Sequence, residues 1–288
     1  MSENKKILTQ IWNALPFTGG DKPLVNVIEL YGVIGASGPG KGGLTLKKLE
    51  KSIETAFKPD NLSAVALAIN SPGGSPVQSR LIHDEIRRRA REKNVPVLTF
   101  VEDVGASGGY ILAIAGDEVY ADESSIVGSI GVISGGFGFE EAIKKLGVER
   151  RIYTAGENKS SLDPFKPEDP EDIERLQNIL NDLHEQFIEL VKKRRSDKVT
   201  DDEEVFSGAF WAAPTAREKG LIDGTAQLND FLRARFGKDV RIKRISSESG
   251  SLLKRLLSNS AEMPANLIEP DALIAAAENR ALWARYGL

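Results

Sequence analysis

Two segments with the pattern of buried strands, each ending in a glycine-rich turn, constrain the fold of this chain most strongly. The first, SAVALAIN, ends at Asn70 before SPGGS, and the second, VPVLTFVED, ends at Asp103 before GASGG. SAVALAIN is a continuous apolar run typical of a strand buried on both faces. After it, Ser75 and Pro76 have the residue types of a helix N-cap and a first helical position. This alternation of strands and helices favours an α/β fold with a mostly parallel sheet.

Further elements fit the same alternation. PLVNVIELYGVIG, DEVYAD and ERRIYTAG predict strands, and TLKKLEKSIETAF and DFLRARFG predict helices. The segment IERLQNILNDLHEQFIELVKKRR predicts a long amphipathic helix. Its apolar stripe consists of Ile173, Leu176, Leu180, Leu183, Phe187 and Leu190.

The chain divides into three parts by composition. Residues 1–22 predict an amphipathic segment, with apolar side chains on one helical face that could pack on protein or lie in a membrane interface. Residues 23–244 carry the regular alternation and predict the compact domain. Residues 245–288 predict an extension with a terminal helix that could dock on another subunit.

Composition excludes several classes of protein. The formal net charge of -4 gives no basic field for nucleic acid, so no nucleic-acid partner is expected. No cysteine and only two histidines are present, which excludes thiolate chemistry and makes a metal site unexpected. No window approaches about 18 continuous apolar residues, and the N-terminus lacks the apolar core of a signal peptide. We therefore expect a cytoplasmic protein whose membrane contact is at most peripheral.

The glycine-rich turns are the candidate site, because functional loops of open α/β sheets lie beyond the carboxyl ends of the strands. Backbone N–H groups of SPGG and of Gly108 could form an oxyanion hole, and Ser107 could be a nucleophile. Alternatively, these glycines only make turns. A dinucleotide-binding loop fits less well, because neither segment matches GxGxxG with a suitably placed acidic residue.

A serine nucleophile needs a base. His83 and His184 both lie within predicted helices, without a turn to present them. A lysine base must be neutral, which requires its pKa to fall by roughly three units, or about 4 kcal/mol, within the reach of burial. Lys159 follows a predicted strand and a glycine turn, and Lys41 and Lys166 are the other candidates outside helical charge runs.

The ordered succession NSPGGS, GASGGY, VGSIGV, a strand and GxxKxxxxPF resembles the signal peptide peptidase A family of serine proteases, which includes SppA and SohB. The resemblance extends from about Val25 to Asp223, where FSGAFWAAPTAREKGLIDG matches the closing segment of the family. It implies the ClpP/crotonase-like fold, a spiral of ββα units. The single serine and lysine set is that of the short-form members.

The resemblance also implies roles for five residues. Ser107 matches the nucleophile, Lys159 the general base, Ser129 the hydroxyl that orients the lysine, and Gly74 and Gly108 the oxyanion-hole donors. No metal or other cofactor is implied. Resemblance to the short-form members also implies a homo-oligomeric ring. In such a ring the serine and the lysine of one site come from neighbouring protomers.

The expected function is a serine endopeptidase that cleaves peptides through an acyl-enzyme. Its substrates could be signal-peptide remnants or cytosolic peptides, and the sequence leaves this choice open. Two alternatives share the fold: a crotonase-type acyl-CoA hydratase or isomerase, which would use a carboxylate, and an inactive oligomeric scaffold.

Overall fold

A single sheet organises the molecule. The computed structural model describes residues 22–35, 43–156, 158–245, 277 and 279–288. Within these residues the strands are β1 (Leu24–Tyr31), β2 (Leu62–Ser71), β3 (Val97–Ala106), β4 (Glu118–Ala121), β5 (Ile126–Gly128), β6 (Phe210–Ala212), β7 (Gly224–Thr225) and β8 (Arg241–Ile245). Their order is β6-β5-β3-β2-β1-β8, with β4 between β3 and β7 on a branch. All pairs are parallel except β5 with β6. The predicted α/β class with a mostly parallel sheet is confirmed.

Helices cover the sheet on both faces. They are α1 (Leu46–Phe57), α2 (Pro76–Lys93), α3 (Gly108–Ala113), α4 (Glu140–Lys145), α5 (Pro170–Arg195), α6 (Ala213–Glu218) and α7 (Leu228–Phe236), with 3-10 turns at Ser196–Lys198 and Glu203–Phe206. The Ser75 hydroxyl accepts a hydrogen bond from the N–H of Gln78 and Pro76 begins α2, as predicted. In the described part of the chain, no helix combines the length and the apolar character needed to cross a membrane.

Strand β2 shows why its sequence is apolar without interruption. Val65, Leu67 and Ile69 belong to the main core cluster, which includes side chains of α1 and α2. The alternating alanines 64, 66 and 68 face a second cluster that contains Leu232 of α7. Both faces are therefore buried, and successive side chains of a strand point to opposite faces.

Strand β3 changes its partner along its length. Residues Leu98–Val101 pair with β4, and Val104–Ala106 pair with β5. At the change, the buried Ser125 hydroxyl lies within hydrogen-bonding distance of the carbonyl oxygens of Val101 and Glu102. The Ser125 hydroxyl thus engages backbone carbonyls at the bend, where the Val101 carbonyl also accepts a hydrogen bond from the Asp122 N–H at 3.2 Å.

The predicted strand ERRIYTAG is wrong. Residues 149–156 form no strand and pair with no neighbour in the described part of the chain. Tyr153 is 91% exposed, so its ring packs against no face formed by the described residues. Side-chain pattern alone cannot form a strand without another strand to complete its hydrogen bonds.

The long helix is confirmed, but its apolar stripe is buried only at one end. Phe187 and Leu190 lie in the core, whereas Ile173 is 44% exposed. The predicted N-terminal segment lies outside the described residues except for Lys22, as do Lys41 and most of the predicted extension. At the end of that extension, residues 279–284 are helical, and Tyr286 packs against Val104 and Ala106 of the same chain.

His83 is a buried histidine on α2. It is 3% exposed, and its Nδ1 lies 2.8 Å from Asp84 Oδ1. Burial opposes the charged form and lowers the pKa of His83 from 6.5 to about 4. Between these values the unfolded chain binds a proton that the folded protein does not bind. Stability contributed by the neutral ring is therefore present above pH 6.5 and is lost as the pH falls towards 4.

We predict that lowering the pH from 7 to 5 reduces the free energy of unfolding through His83 by up to about 2 kcal/mol. His83→Gln removes the titrating ring, so its unfolding free energy changes less over the same interval. Urea unfolding of both proteins at pH 7, 6 and 5 measures the difference. An equal loss of stability in both would contradict this role of His83.

Candidate active site

The two glycine-rich turns lie side by side, as predicted from the parallel strands. Ser71 at the end of β2 pairs with Gly105 near the end of β3. Just before this pair, the Asn70 side-chain amide donates a hydrogen bond to Asp103 Oδ2 at 2.5 Å. Since parallel neighbours end at the same edge, SPGGS and GASGG meet there.

Ser107 occupies a strained backbone position between β3 and α3. Its φ is +53° and its ψ is -122°, a region that L-residues other than glycine rarely adopt. The Ser107 N–H donates to the Gly128 carbonyl at 2.9 Å, and its carbonyl accepts from the Tyr110 N–H at 2.9 Å. Such a conformation costs on the order of 1–3 kcal/mol, so the surrounding bonds hold it in place.

Two backbone N–H groups lie unengaged beside Ser107. A Cβ added to Gly108 would lie 3.3 Å from the Gly74 nitrogen, which shows how closely the two glycines approach. Neither the Gly74 nor the Gly108 N–H donates a hydrogen bond within the described residues. Gly108 is also the first residue of α3, where helical N–H groups lack partners. Both glycines line the cleft, and two neighbouring free donors can stabilise an oxyanion there.

Ser129 lies next to Ser107 across the sheet. Ala106 pairs with Gly128, so the two serines follow a matched pair of residues. The Ser129 N–H donates to the Ala209 carbonyl at 2.7 Å, its φ is +54°, and it is only 6% exposed. Both serines line the same cleft.

Lys159 is not brought to this cleft within one chain. Lys159 is exposed in a turn, and its backbone N–H donates to the Gly156 carbonyl at 3.3 Å. It is absent from the described residues that line the cleft. The alternative Lys166 donates from Nζ to Ser160 Oγ at 3.2 Å in the same region. The structure thus assembles the two serines and two glycines of the predicted site, without the lysine.

Neither histidine lines the cleft. His83 contacts Asp84 in α2, and His184 Nε2 lies 3.1 Å from the Ile130 carbonyl oxygen. In the described residues, no group of three or more histidine and carboxylate side chains could hold a metal ion. Neither histidine is therefore placed to act as a base in the cleft, and the described residues assemble no set of metal ligands.

The cleft that contains Ser107 has a volume of about 690 Å³ and a largely apolar wall. Ile111 of α3 and Leu183, Phe187 and Leu190 of α5 form much of this wall. The sequence predicted the apolar stripe of α5, but it did not predict that this stripe forms part of the cleft wall. Nothing in the sequence placed Arg285, which also lines the cleft.

We predict that Gly73→Ala lowers the free energy of unfolding by about 2 kcal/mol or more. The φ of Gly73 is +106°, and an added Cβ would lie 2.8 Å from Ser107 Cβ and 2.9 Å from the Gly108 nitrogen. The control Gly138→Ala places its Cβ in open space without a positive φ, so its effect should stay within about 0.5 kcal/mol. Urea unfolding measures both, and equal stability of the two variants would contradict the close packing of the turns.

Comparison with known proteins places the chain in a family. Residues 89–241 match the model of Peptidase family S49, a segment that includes Ser107, Ser129 and Lys159. The Na(+)/H(+) antiporter NhaA of Brucella abortus (strain 2308) is 48% identical over 271 residues, which cover 92% of this chain and 37% of that protein. This chain therefore spans little more than a third of that relative.

Two further relatives carry protease names. The protein named Probable protease SohB of Buchnera aphidicola subsp. Schlechtendalia chinensis is 31% identical over 215 residues, covering 75% of this chain and 68% of that protein. Serine protease SPPA, chloroplastic, of Arabidopsis thaliana is 30% identical over 224 residues, covering 75% of this chain and 32% of that protein. These matches confirm the resemblance seen in the motifs. The chain belongs to peptidase family S49, the serine-type peptidases of the SppA and SohB kind.

Proposed function

We propose that this protein is a serine endopeptidase in which Ser107 is the nucleophile and Lys159 the general base. Ser129 orients the lysine amine, and the N–H groups of Gly74 and Gly108 hold the oxyanion. The observation that carries this proposal is the strained Ser107 beside two unengaged N–H groups at the edge of a cleft. Ordinary turns do not need this combination of strain, free donors and an open cavity.

The proposed reaction is acyl transfer. Neutral Lys159 accepts the proton of the Ser107 hydroxyl while Oγ attacks a peptide carbonyl carbon. The carbonyl oxygen becomes an oxyanion that accepts hydrogen bonds from Gly74 and Gly108. When the C–N bond breaks, Lys159 returns the proton to the leaving amine. Water then gives a proton to Lys159 as its oxygen attacks the ester carbon of the acyl-enzyme. When the ester C–O bond breaks, Lys159 returns that proton to Ser107 Oγ, which releases the acid and restores both residues.

We infer that Lys159 reaches Ser107 from a second copy of the chain. A lysine must be uncharged to accept a proton, and burial favours the uncharged form. Lys159 is exposed within one chain, and no lysine is among the described residues that line the Ser107 cleft. Docking of another copy would supply both the missing amine and its burial.

The surroundings of Lys159 support this inference. Nine of the fourteen exposed large apolar side chains in the described residues lie between positions 133 and 179: Ile133, Phe137, Phe139, Leu146, Val148, Tyr153, Leu162, Ile173 and Ile179. We call residues 133–179 the apolar segment. Large exposed apolar surface is typical of an interaction site. A homo-oligomer would cover it and would complete the site with the same contact.

The cleft favours peptides with an apolar side chain near the scissile bond, because α3 and α5 line it with aliphatic and aromatic groups. Signal-peptide remnants and cytosolic peptides both meet this requirement. We further propose that the protein acts in the cytoplasm with membrane contact at most peripheral. Fractionation of cells that produce the full chain tests this location, and recovery only in a carbonate-resistant membrane fraction would contradict it.

The cleft also weighs against an acyl-CoA hydratase. That chemistry would need a carboxylate close to the oxyanion donors, and no Asp or Glu is among the described residues that line the cleft. The same N–H pair could hold a thioester oxyanion, so the oxyanion hole alone does not distinguish peptide hydrolysis from acyl-CoA hydration. The lack of a carboxylate among the described lining residues favours peptide hydrolysis.

We predict that Ser107→Ala and Lys159→Ala each reduce kcat/KM for a leucine-containing fluorogenic peptide by about a thousandfold or more, and that the double variant is no worse. Ser129→Ala should cost less, because it removes only an orienting contact. Lys166→Ala is the matched control in the same loop and should stay within about twofold of wild type. Full activity of Ser107→Ala or Lys159→Ala would contradict the proposed dyad.

Mixing the two inactive proteins tests the shared site. If each site takes serine from one copy and lysine from the next, random oligomers of Ser107→Ala and Lys159→Ala recover about a quarter of wild-type activity. The mixture is made by dissociating and reassociating the two proteins together, with each protein treated alone as the control. No recovery despite subunit exchange would place both residues in one chain and contradict the second-copy inference.

A further inference from the structure

The end of the chain forms part of the cleft wall. Leu282 and Arg285 both line the cleft that contains Ser107. Trp283 and Tyr286 instead pack with Val104, Ala106 and Ile126. Residues three apart on a helix share a face, so the two pairs lie on different faces of the same short segment. One face fixes the segment to the strands, and the other faces the cleft.

This anchoring is specific. Tyr286 is only 6% exposed, and its ring meets the Phe210 ring edge-on at 5.0 Å between centroids. Ala106, which it also contacts, directly precedes Ser107. The position of Arg285 relative to the nucleophile is therefore set by packing against the strand that carries the nucleophile.

The charge of the cleft is one-sided. Among its described lining residues, Arg80 and Arg285 are cationic and none is acidic. Arg80 already pairs with Asp84 at 2.9 Å. Arg285 has no side-chain hydrogen bond or ion pair with any described residue, and it is exposed. A free guanidinium at the rim of an apolar cleft is complementary to a carboxylate, which it binds through two parallel hydrogen bonds.

We propose that Arg285 is a specificity-determining residue that binds a carboxylate of the substrate. The carboxylate is either the C-terminal group of a short peptide or the side chain of an acidic residue a few positions from the apolar one. The proposal rests on the proposed function, in which this cleft binds the peptide substrate. It adds a charge requirement that the apolar wall alone does not impose.

Binding to the full-length Ser107→Ala protein tests this without any need for catalysis. The probes are fluorescently labelled hexapeptides with one central leucine: one with a C-terminal amide, one with a free C-terminal carboxylate, and amidated peptides with glutamate placed at each position in turn. Fluorescence anisotropy gives their affinities. We expect one carboxylate form to bind about fivefold more tightly than the neutral amide, the size of an exposed charge pair. Whichever form binds more tightly identifies the source of the carboxylate.

Three further variants in the Ser107→Ala background separate charge recognition from a structural role. Arg285→Gln should remove the preference for carboxylate while leaving affinity for the neutral peptide unchanged, and Arg285→Lys should restore part of it. Arg280→Gln removes the same charge from the same segment at a residue outside the cleft lining, and should keep the preference. Equal binding of all peptides, no binding of any peptide, or a preference that survives Arg285→Gln would overturn the proposal.

The two proposals fail differently. If wild type hydrolyses none of these peptides but Ser107→Ala shows the Arg285-dependent preference, the peptidase mechanism is wrong and the carboxylate site stands. If hydrolysis depends on Ser107 but carboxylate has no effect on binding, the reverse holds.

Discussion

The site depends on one irregularity in the pairing of β2 with β3. Ile69 pairs with Val101 and Ser71 with Gly105, so three residues of β3 lie opposite the single residue Asn70. Extra residues in one strand bend it and increase its twist. Here the bend releases β3 from β4 and leads it to β5, while β2 stays beside it. Ser107 consequently meets Ser129 on one side and the glycines that follow β2 on the other.

The sequence contained enough local information to predict the elements around this bend. The unbroken apolar run of β2, the Ser75 cap with Pro76, and two strand ends rich in glycine are properties of neighbouring residues, and each was located correctly. The partner change of β3 could not be predicted, because it depends on Ser125 and β5, about twenty residues further along the chain. Arg285 at the cleft is a still more distant contact. ERRIYTAG failed for a related reason, since its pattern gives no information on whether a partner strand exists.

The apolar stripe of α5 is a second case in which the sequence pattern does not identify the packing partner. Its periodicity is uniform, yet Phe187 is buried against the core and Ile173 is 44% exposed. Periodicity reports that a helix face is apolar, and it does not report which molecule covers that face. In the proposed oligomer, one end of the helix forms the wall of its own cleft and the other end contributes to the apolar segment, close in sequence to Lys159. The helix would then couple assembly to the shape of the site.

The glycines after Ser107 have a different task from the one that turn chemistry suggests. Neither Gly108 nor Gly109 has a positive φ, whereas Ser107 does. A Cβ on Gly109 would lie 2.3 Å from the Ser71 carbonyl oxygen, so this glycine provides room for α3 to approach β2. At Ser107, by contrast, glycine would relieve strain on the order of 1–3 kcal/mol, and the turn alone would favour it. A hydroxyl at a cleft position where it costs stability is better explained by chemistry than by the turn.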